Sequence, residues 1–397
     1  MPPHHSDVLC AAGSGFAGEP SALTDLNSPQ LSGAAYLGRH FHCLRQREHS
    51  RMSGQKIDNP LHAPLCKLLG CDHPVLLAGM GGVSRWELAA AVSQAGGFGM
   101  LGMVRESPDL ITEEVTKLRA ATDRPFAVNV IPAATEPGLL DAQISCCLEL
   151  GVPAFTFFWD VVPDAVFRVK AAGCLVLHQV GTVEAARAAE AAGADVIIAQ
   201  GIEAGGHVHG RRPVRDLTEA ILEAVSVPVV ASGGLSSGED LARFLSIGAS
   251  GIQCGTAFLA TDESFAHPYH KERVATSTGG DTVLTDVFVL NWPMGAAVRV
   301  LENSVTKALG GTYLGHDPDA LPREAIAWDG SQPRLRFSTD SPLRTTTGDL
   351  EAMALFAGQG AGAISRIVPA ASRIGDIVNE AEQILGYSLS HRSGAGL

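Results

Sequence analysis

From about residue 74, short apolar runs alternate along the chain with stretches of helical period. The runs are Pro74–Met80, Phe98–Gly102, Phe126–Val130, Ala154–Trp159, Cys174–Val180, Val196–Gln200, Pro228–Ser232 and Gly251–Phe258. Each but the last is followed by a segment rich in Ala, Glu and Arg with amphipathic spacing. Strand-length runs alternating with helix-length segments predict repeated β–α units and a parallel sheet. Two joints show the design: Thr182 opens an alanine-rich helix that Gly193 ends before Val196–Gln200, and Ser236–Ile247 with Gly248 does the same before Gly251–Phe258. Eight such units predict an α/β fold of the (β/α)8 TIM-barrel type. An open, doubly wound sheet is the alternative that periodicity alone leaves standing.

The rhythm is absent at both ends. Residues 1–58 are rich in Gly, Ser and Pro, carry a His- and Arg-rich patch around Arg39–Arg51, and show no sustained apolar period. They read as a disordered N-terminal extension without a secretory signal, and Met52 is a candidate start. The barrel is expected over 59–260. Residues 261–345, with Pro, Gly, Asp and the aromatics Phe288, Trp292, Tyr313 and Trp328, read as a cap inserted after the eighth strand, over the barrel mouth. Helical period returns at Asp349–Leu385, so 346–397 is expected to supply C-terminal helices that complete the ring. Gly358-Gln359-Gly360 falls inside that stretch, where glycine weakens a helix unless something packs closely.

Composition narrows the classes of function. With 46% hydrophobic and 18% charged residues, the chain is core-rich and globular. Its formal charge of −13 offers no basic face for nucleic acid. The apolar runs are too short to span a bilayer, so no membrane association is expected and the cytoplasm is the default compartment. The 8 cysteines are too dispersed for a disulfide framework and lack the pairing of a zinc site; reduced, buried thiols are expected.

In such barrels chemistry sits at the carboxyl ends of the strands. The first strand ends in Ala78-Gly79-Met80-Gly81-Gly82, a loop able to lie flat against a planar ligand. The third ends near Asn129, whose amide both donates and accepts. The seventh ends in Ser232-Gly233-Gly234 and the eighth carries Gln253-Cys254-Gly255-Thr256, so glycine amides and the helix start near Ser236 predict a phosphate site. Tight strand-to-helix turns alone would also place glycines there. The sixth ends in Gln200-Gly201-Ile202-Glu203-Ala204-Gly205-Gly206-His207. His207 titrates near neutrality in its ordinary state and has two glycines that let a flat ring approach, which makes it the candidate for acid–base work over an ordinary loop histidine. His209 forms a His-x-His pair without an evident third ligand, so no metal is expected. Glu203 suits a loop-holding role through backbone hydrogen bonds.

The Gln200–His207 run resembles the signature of nitronate monooxygenases, formerly called 2-nitropropane dioxygenases. Leu77–Gly82, Ala231–Gly234, Gln253–Thr256, Thr261–Ser264 with His267-Pro268, and Ala357–Gly360 agree, so the resemblance covers roughly residues 60–386. It departs at Val208-His209-Gly210, where the glycine commonly sits closer to the histidine, and at Phe356, where an aromatic hydroxyl is common.

The resemblance implies noncovalent FMN, with its phosphate on Gly234, Gly255 and Thr256 beside Gly233. Gly79, Met80, Asn129, Gln200, Gly205 and Gln253 would lie along the flavin. His207 would be the catalytic base or hydrogen-bond partner beside the substrate. It further implies oxidation of an alkyl nitronate, such as a 3-nitropropionate-type anion, by oxygen to a carbonyl compound and nitrite, with an imidazole that can be protonated beside the anion. The alternative within the same superfamily is an NAD(P)H-dependent FMN reductase of an enoyl thioester or quinone. A non-catalytic flavin-binding scaffold has no need of His207 or of the apolar cap residues Phe288, Leu290, Trp292 and Met294. A cysteine-nucleophile barrel of the inosine monophosphate dehydrogenase kind would place its cysteine after the sixth strand, where this chain has His207. An exposed barrel edge or cap could support a homodimer.

Overall fold

The computed structural model describes Leu61, residues 64–292 and residues 296–386. The expectations for residues 1–58, for Met52 as a start and for Met294 lie outside the described residues.

Eight of the strands form one parallel sheet. They are β1 (Val75–Leu77), β2 (Gly99–Gly102), β3 (Phe126–Val130), β4 (Ala154–Phe158), β5 (Leu175–Val180), β6 (Val196–Gln200), β8 (Val229–Ser232) and β9 (Gly251–Cys254), in the order β1-β9-β8-β6-β5-β4-β3-β2. The seam between β1 and β2 is shut by Leu77 N donating to Phe98 O and Phe98 N donating to Val75 O, both at 3.0 Å. The sheet is therefore a TIM barrel and not an open layer. Every residue of β3, β4 and β6 is buried, as strands covered by helices outside and side chains inside require.

Local signals place the helices between the strands. Thr182 accepts from Ala185 N at the start of Val183–Ala192, and Gly193 ends that helix at φ 109°, where a side chain would be strained. Ser237 and Asp240 form a reciprocal capping box on Gly238–Ser246. The strand expected over Gly251–Phe258 stops at Cys254, because Phe258 N and Leu259 N both turn back to Gly255 O and make the one-turn helix Thr256–Leu259. No full outer helix follows. Ala370–Ile384 instead packs between Gly238–Ser246 and Trp86–Gln94. The approach is close: a Cβ on Gly238 would lie 2.4 Å from the Ile377 carbonyl.

The helical reading of Asp349–Leu385 is corrected over its first half. Only short 3-10 turns, Leu350–Ala352 and Gln359–Ala363, precede the Ala370–Ile384 helix. The glycines decide this, since a Cβ on Gly360 would lie 2.4 Å from Ser236 Oγ and one on Gly362 would lie 2.6 Å from Gly279 N.

Between the barrel's last strand and that helix lie two small antiparallel sheets. One joins β10 (Thr282–Thr285) and β11 (Ala297–Leu301) to β7 (Gly206–Val208), the strand that carries His207. The other joins β12 (Ala325–Asp329) to β13 (Gln332–Leu335) and β14 (Thr346–Gly348). Among the described residues no helix is long and apolar enough to cross a membrane, and no disulfide joins any two of the six described cysteines.

Candidate active site

A cavity of about 410 Å³ opens at the carboxyl ends of the barrel strands. Its wall includes Gly79, Met80, Gln200, Gly205, His207, Gly233, Gly234, Gln253, Gly255 and Thr256. Asn129 is buried and does not reach the wall. It packs against Gly79, where a Cβ would come 2.4 Å from the Asn129 Cβ. Asn129 Nδ2 donates to Thr156 O at 3.1 Å, and its Oδ1 has no partner.

One end of the cavity is built from backbone. Gly233 and Gly234 have φ of 110° and 71°, values that only glycine adopts freely. A Cβ on Gly205 would meet Gly358 N at 2.4 Å, and one on Gly234 would meet the Glu203 Cβ at 2.7 Å. Gly358 N donates to Thr256 Oγ1 at 3.0 Å, and Gln359 N donates to Glu203 O at 3.0 Å, so the loops after β6, β8 and β9 interlock with the Ala357–Gly360 run. Within this lattice the N–H groups of Gly234, Gly255 and Thr256 donate to no protein acceptor among the described residues. Three unpaired amides along one end of the cavity could cradle an anion.

The neighbouring helix start does not add to it. Ser236 N and Ser237 N donate to the Asp240 carboxylate and Gly238 N donates to Glu380 Oε2, so the N-terminus of Gly238–Ser246 already holds acceptors. The expected helix-terminus contribution near Ser236 is corrected accordingly.

The other end is built from side chains. His207 stacks on Trp292 with ring centroids 3.4 Å apart and 21° between planes, and Phe356 stands 5.7 Å away. His207 Nε2 is shielded from solvent and has no partner. Burial pushes the imidazole down to about 3, and the Arg105 charge pushes it the same way. His207 is thus neutral at pH 7, which corrects the expectation of an imidazole poised to charge near neutrality. Gln253 Nε2 donates to Gln179 Oε1 and Ser232 Oγ, while its Oε1 is left without a partner.

Three residues set the geometry of this end. Gln200 Nε2 donates to His207 O at 2.9 Å and its Oε1 accepts from His209 N at 3.1 Å, so this side chain fixes the β7 backbone from below. Glu203 Oε2 accepts from Val214 N at 2.9 Å, the loop-holding contact its position suggested. Buried Arg299, on β11, donates from Nε and Nη2 to Ile202 O. His209 lies against Trp159 with ring centroids 4.4 Å apart and 32° between planes.

Arg105, Arg299 and Gln179 were not anticipated from the sequence. Arg105 follows β2, and the strand-end rule applied there would have reached it. Arg299 carried no such signal, because its contact to Ile202 joins positions far apart in the chain.

Comparisons with known proteins agree with this geometry. The family model described as nitronate monooxygenase matches residues 62–380. A protein of Mycobacterium tuberculosis named (3aS,4S,5R,7aS)-5-hydroxy-7a-methyl-1-oxo-octahydro-1H-indene-4-carboxyl-CoA dehydrogenase is 36% identical over 228 residues, 57% of this chain and 63% of that protein. The structure of FabK from Thermotoga maritima superposes with a TM-score of 0.70 at 31% identity, covering 82% of this chain and 97% of its own. The nitroalkane oxidase from Streptomyces ansochromogenes superposes at 0.67 with 33% identity, covering 81% and 99%.

Proposed function

The chain belongs to the nitronate monooxygenase family and is an oxidoreductase, and from that premise we propose that it uses FMN and molecular oxygen to convert an alkyl nitronate, of the 3-nitropropionate type, to a carbonyl compound and nitrite. The residues present fit the cofactor. The free amides of Gly234, Gly255 and Thr256 suit its phosphate, and the partnerless Gln253 Oε1 suits a ring N–H or ribityl hydroxyl. Gly79, Met80, Gly205 and Gly233 keep the wall low enough for a flat ring. When bound, FMN supplies the two-electron redox chemistry and the reaction with oxygen.

The observation that carries this reading is the partnerless Nε2 of His207, in the same cavity as the glycine cradle. A neutral imidazole accepts a proton from the acidic carbon of a nitroalkane, or hydrogen-bonds to its nitro oxygens. A nitronate anion beside the ring would raise the imidazole's affinity for that proton and offset the burial that holds the free ring neutral. Trp292, Phe158 and Ile131 exclude water from the same end.

A second reading, an NAD(P)H-dependent FMN reductase of an enoyl thioester or quinone, draws on the similarity to the Mycobacterium tuberculosis indene-carboxyl-CoA dehydrogenase, whose named substrate is a CoA thioester. The absorption spectrum of the purified protein, followed by anaerobic titration with propionate 3-nitronate and with NADPH, separates the two. The proposal expects a flavin spectrum, bleaching by the nitronate and none by NADPH, and nitrite release in air. A colourless protein that takes up no FMN, or bleaching by NADPH alone, overturns it.

A further inference from the structure

Four charged side chains line the cavity, and three of them are already paired: Glu106 Oε1 with Arg85 at 3.0 Å, and Arg334 with Asp340 at 3.5 Å as well as with Asp329. The fourth, Arg105, makes no ion pair with a carboxylate among the described residues. Its Nη1 donates to Asn291 O at 2.8 Å, on the residue next to Trp292. Its charge is felt at His207, so it belongs to the histidine end of the cavity and not to the glycine cradle.

The backbone adds an independent observation. Arg105 has φ 59°, and the only other described non-glycine residue at positive φ is Trp159, at 79°. Trp159 stands edge-on to Trp292, with centroids 6.1 Å apart. Such conformations are unfavourable for residues that carry a side chain and persist where the surroundings enforce them. Both are therefore held around one spot. Apolar side chains, Val104, Ile131, Phe158, Trp292 and Phe356, line the cavity with Arg105, while Asn291, bonded to Thr339 and Asp340, forms the polar border on the arginine's side. Phe356 has no hydroxyl with which to solvate an anion.

We propose that Arg105 is the anion-recognition residue of an aromatic-walled subsite, which selects substrates that join an apolar, preferably flat, body to a carboxylate or similar acidic group. The proposal rests on the reading of this cavity as an oxidoreductase's substrate site. The apolar wall takes the body by burial, and the guanidinium gives the acid a charge-assisted, bidentate partner in a partly desolvated setting. A short acid of the 3-nitropropionate type would pair with Arg105 and cover only part of the aromatic wall, a longer apolar acid would use both, and an uncharged apolar substrate would leave the Arg105 charge without a partner.

Calorimetric titration of the purified protein with benzoate, benzamide and acetate tests this without turnover, so a protein that fails to oxidise nitronates still reports on the subsite. Benzoate is expected to bind roughly 10- to 100-fold more tightly than benzamide, the difference a charged hydrogen bond makes, and about 10-fold more tightly than acetate. In Arg105→Gln the benzoate affinity should fall to that of benzamide, with benzamide binding changed by less than about twofold. Arg105→Lys, which keeps the charge but not the planar fork, should retain part of the preference and serves if the glutamine variant does not fold. Equal affinity for benzoate and benzamide, no binding of either, or an undiminished preference in Arg105→Gln overturns the proposal.

Discussion

The two ends of the cavity are built by opposite means. At the glycine end, backbone segments touch each other where a single added methyl group would collide, as at Gly205 against Gly358 and Gly234 against Glu203. At the histidine end, side chains from the barrel and from the cap sheet meet at an imidazole with a partnerless nitrogen, and two residues hold strained backbones. The first end is rigid because its atoms have nowhere to go. The second is made of side chains whose unpaired polar atoms cost stability and stay available for a ligand, as the unpaired amides do at the first. Anchoring and chemistry are thus divided between a part of the wall made by absent side chains and a part made by present ones.

The comparison can be broken most sharply at His207. His207→Ala should lower kcat/KM about 10²- to 10⁴-fold, the usual range for a positioned acid–base group, while flavin content stays unchanged. Because the free imidazole is held down to about 3, the wild-type kcat/KM profile should show no His207 inflection between pH 5 and 9. An inflection near 6.5 that disappears in His207→Gln would contradict that electrostatic picture. At the opposite end, Gly234→Ala combines a left-handed φ of 71° with a Cβ 2.7 Å from the Glu203 Cβ. It should cost roughly 2–3 kcal/mol in denaturant unfolding and weaken FMN uptake about 100-fold. Full flavin content after purification would show that the cradle is looser than its contacts imply.

Gln200→Leu is a finer test of how the histidine end is aligned. It keeps the side chain's bulk and removes both hydrogen bonds to the His207 and His209 backbone. A drop in kcat of about 10-fold with flavin content intact is expected, since a small misplacement at a reacting centre is costly.

The smallest effect concerns stability and pH. His178 and His270 are each pushed down to about 4 by burial. In His270 the Nε2–H donates to Phe356 O at 3.0 Å, with Nδ1 facing the Ser341 hydroxyl, a contact that selects the tautomer but does not offset the burial. Above pH 6.5 neither the folded nor the unfolded chain protonates them, so they add no pH dependence. Below it the unfolded chain takes up protons that the folded chain refuses, and stability falls until about pH 4. Each should cost roughly 1.4 kcal/mol at pH 5.5 relative to pH 7.5. Urea midpoints at the two values, for wild type and His270→Gln, measure this; a midpoint that rises on acidification would reverse the assignment.

Much of this was legible before any coordinates. Strands and helices followed from apolar runs of strand length alternating with segments of 3.6-residue period, with Thr182, Gly193, Ser236 and Gly248 read as the boundaries, because capping and left-handed turns are local events. The glycine end was legible for the same reason: Gly233-Gly234 and Gly255-Thr256 sit at strand ends, and the fold rule then places them side by side. Asp349–Val368 was misread as helix because what excludes the helix, Ser236 and Gly279 against Gly360 and Gly362, lies far away in sequence.

What the sequence alone determined is where backbone must turn, cap or approach closely, since those demands act within a few residues and leave glycine, threonine or serine behind. Only the tertiary structure decided that Trp292 stacks on His207, that Arg299 reaches Ile202, that Arg105 has no carboxylate partner among the described residues, and that burial favours the neutral imidazole. Burial and charge are summed over neighbours from the whole chain, and no local pattern carries that sum.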